Sequence, residues 1–371
     1  MRRTLYSLLI IVALAIPALS VSAQAVRYEI TDLIKAHEVE FEDLGAGAYA
    51  IADDSVIAGF TGQSRTKSAP FYTIDGKPTR VKTGKYGATF SDINNAGVIV
   101  GRTVTSRRAN GSAVGLPAYW VNGKITRLEL PPNIRDTLPV TGAARAINDD
   151  GLIIGDIQYP GERNQSVVVW RDLTPIVLPS AFSFPYCQAH GFSESGLIGG
   201  HCWHPTLGLF QPVVWDDYEA IPLQGLTNLS SEIWSIVDTA AGGFVAAGFS
   251  YHETGGLPPD VVPVLYMDGV AESLNVPAET PYCNAFAVSA TAHGILVGGT
   301  CAATTDILLN GWAEHIAVAW LDSELIDLAA AIPDDSGWTL LSVRAVNSSG
   351  QMVGLGERNG IRRSFLLTPT G

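Results

Sequence analysis

Arg145–Gly155 reads RAINDDGLIIG: a strand, a tight turn and a second strand, with no obvious catalytic residue. FSDINNAGVIVG, ending at Gly101, and VRAVNSSGQMVG, ending at Gly354, repeat the pattern. Weaker copies are AYAIADDSVIAG, AHGFSESGLIGG, SIVDTAAGGFVAAG and FAVSATAHGILVG, which end at Gly59, Gly200, Gly248 and Gly298. The seven terminal glycines recur at intervals of 42 to 56 residues, the period of propeller blades.

Each hairpin is followed by a third strand that ends on a bulky residue: Tyr72, Trp120, Trp170, Trp215, Tyr266, Trp320 and Leu367. A short turn and a fourth strand follow in the first six copies, as in VNGK then TRLEL. Four antiparallel strands cannot bury both faces of their own sheet, but radial stacking does so. The seventh copy stops at SFLLTPTG without a fourth strand, while RYEITDLI, Arg27–Ile34, has the fourth-strand pattern and precedes the first copy. Letting that segment complete the last sheet closes the ring and removes its open edges. The expected fold is all-β: a seven-bladed β-propeller of four-stranded antiparallel blades over residues 26–371, the last blade closed by the N-terminal strand.

Within the motif, Asn94, Asn148 and Asn347 stand three residues before Gly97, Gly151 and Gly350. This is turn chemistry: the Asn opens a type I turn and the Gly takes the left-handed position. A calcium loop does not fit, because NNAG and NSSG carry no carboxylate. The motif, its aromatic-ended third strand and RAVNSSGQMVGLGERNGIRRSFLLTP resemble the extracellular HAF-repeat family over nearly the whole mature chain. That resemblance implies secretion and a repeat architecture, and it carries no catalytic residue over.

The N-terminus, MRRTLYSLLIIVALAIPALSVSAQA, has Arg2 and Arg3, an apolar run from Leu8 to Leu19 and then small residues. This is the layout of a secretory signal peptide over residues 1–25, cleaved after Ala23 or Ala25. The apolar run is short of the roughly 20 residues that span a bilayer, so the mature chain is expected to be exported, secreted or periplasmic, without membrane insertion. With 36 acidic against 23 basic residues, a formal net charge of −13, the surface repels phosphate backbones, which excludes nucleic acid as a partner.

Four cysteines in an exported chain predict disulfides. Cys187 and Cys202 sit at the outer ends of one hairpin, Cys283 and Cys301 at those of another, so the pairs Cys187–Cys202 and Cys283–Cys301 are expected. Around Cys202, GGHCWHP places His201 and His204. Pairing Cys187 with Cys202 sets Gln188 opposite His201 and His190 on the same face one pair further in. The reading is polar residues at a blade edge and no metal, because no carboxylate ligand is evident; His190, His201 and His204 are the candidate ligands if an ion is held there.

In an up-and-down blade the long second-to-third and blade-to-blade connections emerge on one face, and the tight turns on the other. Long loops on a rigid scaffold are where binding concentrates. Trp203, Trp234, Trp312 and Trp338 lie outside the strand-ending series, and they are the aromatic candidates for that face. No cofactor motif is present. The reading is a monomeric, non-catalytic binding scaffold for a glycan or an extracellular protein, with a propeller hydrolase or lyase acting on a polysaccharide as the alternative.

Overall fold

A computed structural model describes residues 26–33, 47–64, 67–74, 77–83, 87–107, 113–132, 140–158, 165–252, 261–304 and 315–370. The expected signal peptide and Trp312 lie outside these residues, as does most of the long-loop face.

Seven four-stranded antiparallel sheets form the blades of a seven-bladed β-propeller. Their first strands are Gly47–Ile51, Ala88–Ile93, Thr141–Ile147, Cys187–Phe192, Ser230–Asp238, Tyr282–Thr291 and Trp338–Val346, for blades 1 to 7. The expected closure is present: Tyr28–Asp32 pairs with Ile361–Pro369 as the outermost strand of blade 7, in register from Tyr28 opposite Pro369 to Asp32 opposite Phe365. The joint is reinforced where the buried Asp32 carboxylate meets Arg363 Nη1 at 2.8 Å and Arg358 Nη1 at 3.6 Å.

The core is divided among the seven blade-to-blade contacts. Trp170 of blade 3, for example, packs with Val100 and Leu128 of blade 2, and Leu367 of blade 7 packs with Ala317 and Ala319 of blade 6. Trp170, Trp215 and Trp320 are fully buried. Each indole N–H donates to a carbonyl just past the fourth strand of the preceding blade: Glu129 at 2.7 Å, Pro179 at 2.9 Å and Asn275 at 2.6 Å. The bulky end of the third strand is thus an anchor between blades, burying a large apolar ring whose polar edge is satisfied.

The motif of Arg145–Gly155 acts twice. Within the hairpin, the Asn148 side chain accepts from Leu152 N (2.9 Å) and Gly151 takes φ +79°. Between blades, Asn94 Nδ2 donates to Asn148 O (3.0 Å) and Asn347 Nδ2 to Ala52 O (3.1 Å). The next residue continues the chain of bonds around the ring: Asp53 accepts from Ser348 N, Asp149 from Asn95 N and Glu194 from Asp149 N. Hairpin turns predicted only to reverse the strand also staple neighbouring blades.

The glycine that ends the motif has a steric cause. In each first strand the pairing slips by one residue, a β-bulge, and in blade 7 it slips a second time at Leu341. The carbonyl just before the bulge then points to where the Cβ of the facing residue would stand. A Cβ on Gly101, Gly155 or Gly200 would collide with the oxygens of Thr89, Ala143 and Gln188. In blade 6 this residue is Gly299, which opposes Asn284 O, and not the expected Gly298.

Candidate functional site: a ring of bulge residues on the axis

A bulge leaves one residue unpaired and re-aims its side chain. At the bulge that faces the motif glycine, Tyr49, Ser91, Arg145, His190, Trp234, Phe286 and Arg344 are those residues in blades 1 to 7. All seven line one cavity of about 460 Å³ on the propeller axis, and each is half-buried. Every blade therefore contributes its bulge residue to the wall, beside further residues of the same strands.

The arc from blade 4 to blade 1 is aromatic. His190 stacks on Trp234 at 4.4 Å between centroids and 9° between planes, and Trp234 meets Phe286 edge-on at 5.4 Å. The Arg344 guanidinium lies over Phe286 at 4.2 Å and near Tyr49 at 5.9 Å, a cation–π arrangement. Burial raises the Tyr49 hydroxyl above its ordinary pKa, with Arg344 opposing, so it is a neutral donor. Burial lowers Arg344, with Tyr49 opposing, yet a guanidinium keeps its charge in proteins.

The arc of blades 2 and 3 is polar. Arg102 joins Ser91, Asp92 and Arg145 on the wall. Arg145 Nε donates to Asp156, which outweighs the effect of burial and keeps Arg145 above its usual pKa. Asp92 occupies a position where other blades carry Ala, Gly or Ser and accepts from Ile147 N of blade 3 at 2.9 Å. Burial pushes its carboxyl up to about 7, with Glu194 and Asp149 adding to the rise and two backbone N–H groups opposing it. Toward the tight-turn face the axis becomes acidic: Asp53, Asp149, Glu194 and Asp238 surround a second cavity that also contains Asp92.

Of the candidate metal ligands, two converge and one does not. Gln188 pairs with His201 as expected, and the bulge turns His190 onto His201, with ring centroids 5.4 Å apart. His204 instead packs on Phe182 at 4.5 Å and its Nδ1 accepts from Leu207 N. The third group is a carboxylate from the next blade, Glu232: its ligand atom and those of His190 and His201 lie within 4.8 Å of one another. Burial lowers both imidazoles, with His201 and Arg145 adding to the effect on His190, and Glu232 and Asp156 opposing it on His201. Both are neutral at pH 7.

Among the tryptophan candidates, Trp234 reaches the axial cavity. Trp203 packs edge-on against Phe210 at 5.1 Å, and Trp338 against Phe365 at 6.1 Å between blades 6 and 7. The three do not share a surface. Both expected disulfides are present, Cys187–Cys202 and Cys283–Cys301, each joining directly paired residues.

Sequence reasoning missed Tyr49, Ser91, Arg145, Phe286, Arg344 and Glu232. The ring residue stands two before the Ile, Val or Phe of each repeat and varies among aromatic, basic and hydroxyl side chains, but nothing in the sequence marks a bulge there.

Fold and site together define a closed propeller whose axial cavity receives the bulge residue of every blade. No family model matches the chain, and no curated protein matches it. Among solved structures, an ulvan lyase of polysaccharide lyase family PL25 is 12% identical with a TM-score of 0.49, over 88% of this chain and 94% of that one. YCF48 bound to D1 peptide is 12% identical with a TM-score of 0.47, over 93% and 96%. A gluconolactonase of Xanthomonas campestris is 8% identical with a TM-score of 0.43, over 93% and 95%. Likenesses this distant say nothing about substrate or partner.

Proposed function

We propose that the chain is an exported binding propeller that takes a carboxylate-bearing saccharide into its axial cavity. The observation that carries this reading is the composition of the bulge ring: arginines and flat aromatic rings face one cavity in a chain whose net charge is −13. Guanidinium groups recognise carboxylates through paired N–H donors, and aromatic faces stack on sugar rings. The acidic turn face repels an anion, so the ligand enters from the face of the long connections. Export rests on the signal-peptide pattern of residues 1–25, and the two disulfides fit an oxidising compartment.

The test is a titration of glucuronate-containing and neutral oligosaccharides at low salt, followed by intrinsic tryptophan fluorescence and calorimetry. Acidic sugars should bind and neutral ones of equal length should not. Arg344→Gln should weaken binding by about tenfold or more, the loss of one charge-assisted hydrogen bond. Equal binding of both sugar classes, or none of either, would sink the reading. Asp92 favours a second one. A carboxyl with a pKa of about 7 on the cavity wall can exchange a proton at neutral pH, as a hydrolase or lyase acting on such a polymer requires. Product release from acidic polysaccharides that disappears in Asp92→Asn would support catalysis over binding.

A further inference from the structure

We propose that His190, His201 and Glu232 form a divalent transition-metal site of the zinc type at the contact between blades 4 and 5. The donor set is two imidazoles and one carboxylate, the mixture that a borderline-soft ion selects. Their ligand atoms already lie within 4.8 Å of one another, and His201 Nδ1 stands 3.7 Å from Glu232 Oε2. Ligands at about 2.1 Å from a tetrahedral ion are about 3.4 Å apart, so the group must draw in by roughly an ångström, within the reach of small χ adjustments.

Three further observations separate this cluster from a chance meeting of polar side chains. First, His201 is 2% exposed, and its Nδ1 and His190 Nε2 are buried without a hydrogen bond. Buried polar atoms are normally satisfied, and an orphan needs a reason. A metal ion supplies one for both. Second, the carboxylate is held by groups behind it: Trp234 Nε1 donates to Oε2 at 3.0 Å and Tyr251 Oη to Oε1 at 2.8 Å. Hydrogen bonds that orient a ligating carboxylate are characteristic of metal sites. Third, the scaffold is stiff. His201 adjoins the Cys187–Cys202 disulfide, and His190 is fixed by its bulge and by the Trp234 ring. Arg145 beside His190 would repel a cation, but Asp156 pairs with it. His190 borders the axial cavity, which provides a path of entry. Three protein ligands leave a coordination position for water or a bound molecule.

The experiment uses the full oxidised chain, stripped with chelator and dialysed, then titrated with Zn²⁺ by calorimetry and with Co²⁺ by visible absorption. Wild type should take up one saturating equivalent and show Co²⁺ d–d bands. His190→Gln and Glu232→Gln should each weaken binding by at least about tenfold. Tyr251→Phe keeps every ligand but removes one of the two hydrogen bonds that orient the carboxylate, and should cost about 10- to 100-fold. It also decides the matter if a ligand variant fails to fold. His204→Gln should bind as wild type does. The four cysteines are all in disulfides, so thiolate binding does not confuse the readout. Absence of saturable uptake by wild type, or uptake unchanged in His190→Gln, Glu232→Gln and Tyr251→Phe, would overturn the proposal.

Discussion

A methyl group added at Gly155 and one added at Gly151 should behave differently, although both glycines belong to the same hairpin. At Gly151 there is open space, and the cost is that of a left-handed φ of +79° for an L-residue, about 1 kcal/mol. At Gly155 the Cβ meets the carbonyl of Ala143, so the bulge itself must shift, at a cost of about 2–3 kcal/mol. Urea unfolding of Gly151→Ala and Gly155→Ala should show the second as clearly the weaker protein, and equal midpoints would refute the bulge account. The slip between Gly298 and Gly299 has the same origin. The motif reads as apolar residues followed by glycine, and blade 6 offers two adjacent glycines; only the facing carbonyl tells them apart.

Asp92 makes a pH prediction at the same scale. Its carboxyl is raised from 3.8 to about 7 in the folded state, so between those values the native protein binds more protons than the unfolded chain. Stability from this group is therefore greatest below about pH 4 and declines as pH rises to about 7. Asp92→Asn keeps an acceptor for Ile147 N and removes the charge. Its melting temperature should exceed that of wild type at pH 8, and the gain should vanish near pH 4.

Among the elements, the turn staple separates into two functions. Asn347→Asp keeps the oxygen that accepts from Gln351 N but loses the donor to Ala52 O and sets a buried carboxylate oxygen against it and Gln351 Oε1, for a loss of about 2 kcal/mol or more. Asn347→Ala loses both, and should cost roughly 2 kcal/mol by denaturant unfolding. What could be read in advance at this scale was whatever repeats or pairs within one hairpin. The blade period, the turns and both disulfides follow from strand register alone. The axial ring does not, because alternation assigns every second residue to one face and a bulge inserts a residue that breaks the count. Glu232 was out of reach for another reason: it comes from the neighbouring blade, 31 positions after His201 in the chain, and no local pattern links the two. His204 looked equivalent to His201 by spacing, but it sits at the outer end of Ile198–His204, where a tight turn takes its ring away from the axis.

For the whole molecule, the seam between the chain's two ends should dominate stability. Asp32→Asn removes the charge that holds Arg363 and Arg358 at the joint and should cost about 2 kcal/mol, with early proteolysis on both sides of the seam. The disulfides span 15 and 18 residues within single hairpins, so each contributes at most about 3 kcal/mol. Reduction should lower the melting temperature while leaving the far-ultraviolet spectrum of the propeller intact.

The seam also makes the ring a test of its own completeness. Among the described residues, Tyr28–Asp32 pairs with Ile361–Pro369 alone, more than three hundred residues later. A chain cut short before that segment leaves one bare strand at its start and a sheet lacking its outer edge at its end, both open to proteases and to stray pairing. Only a chain carried through to its last strand can hide both, so truncated copies would be sorted for destruction by the same joint that holds the finished molecule shut.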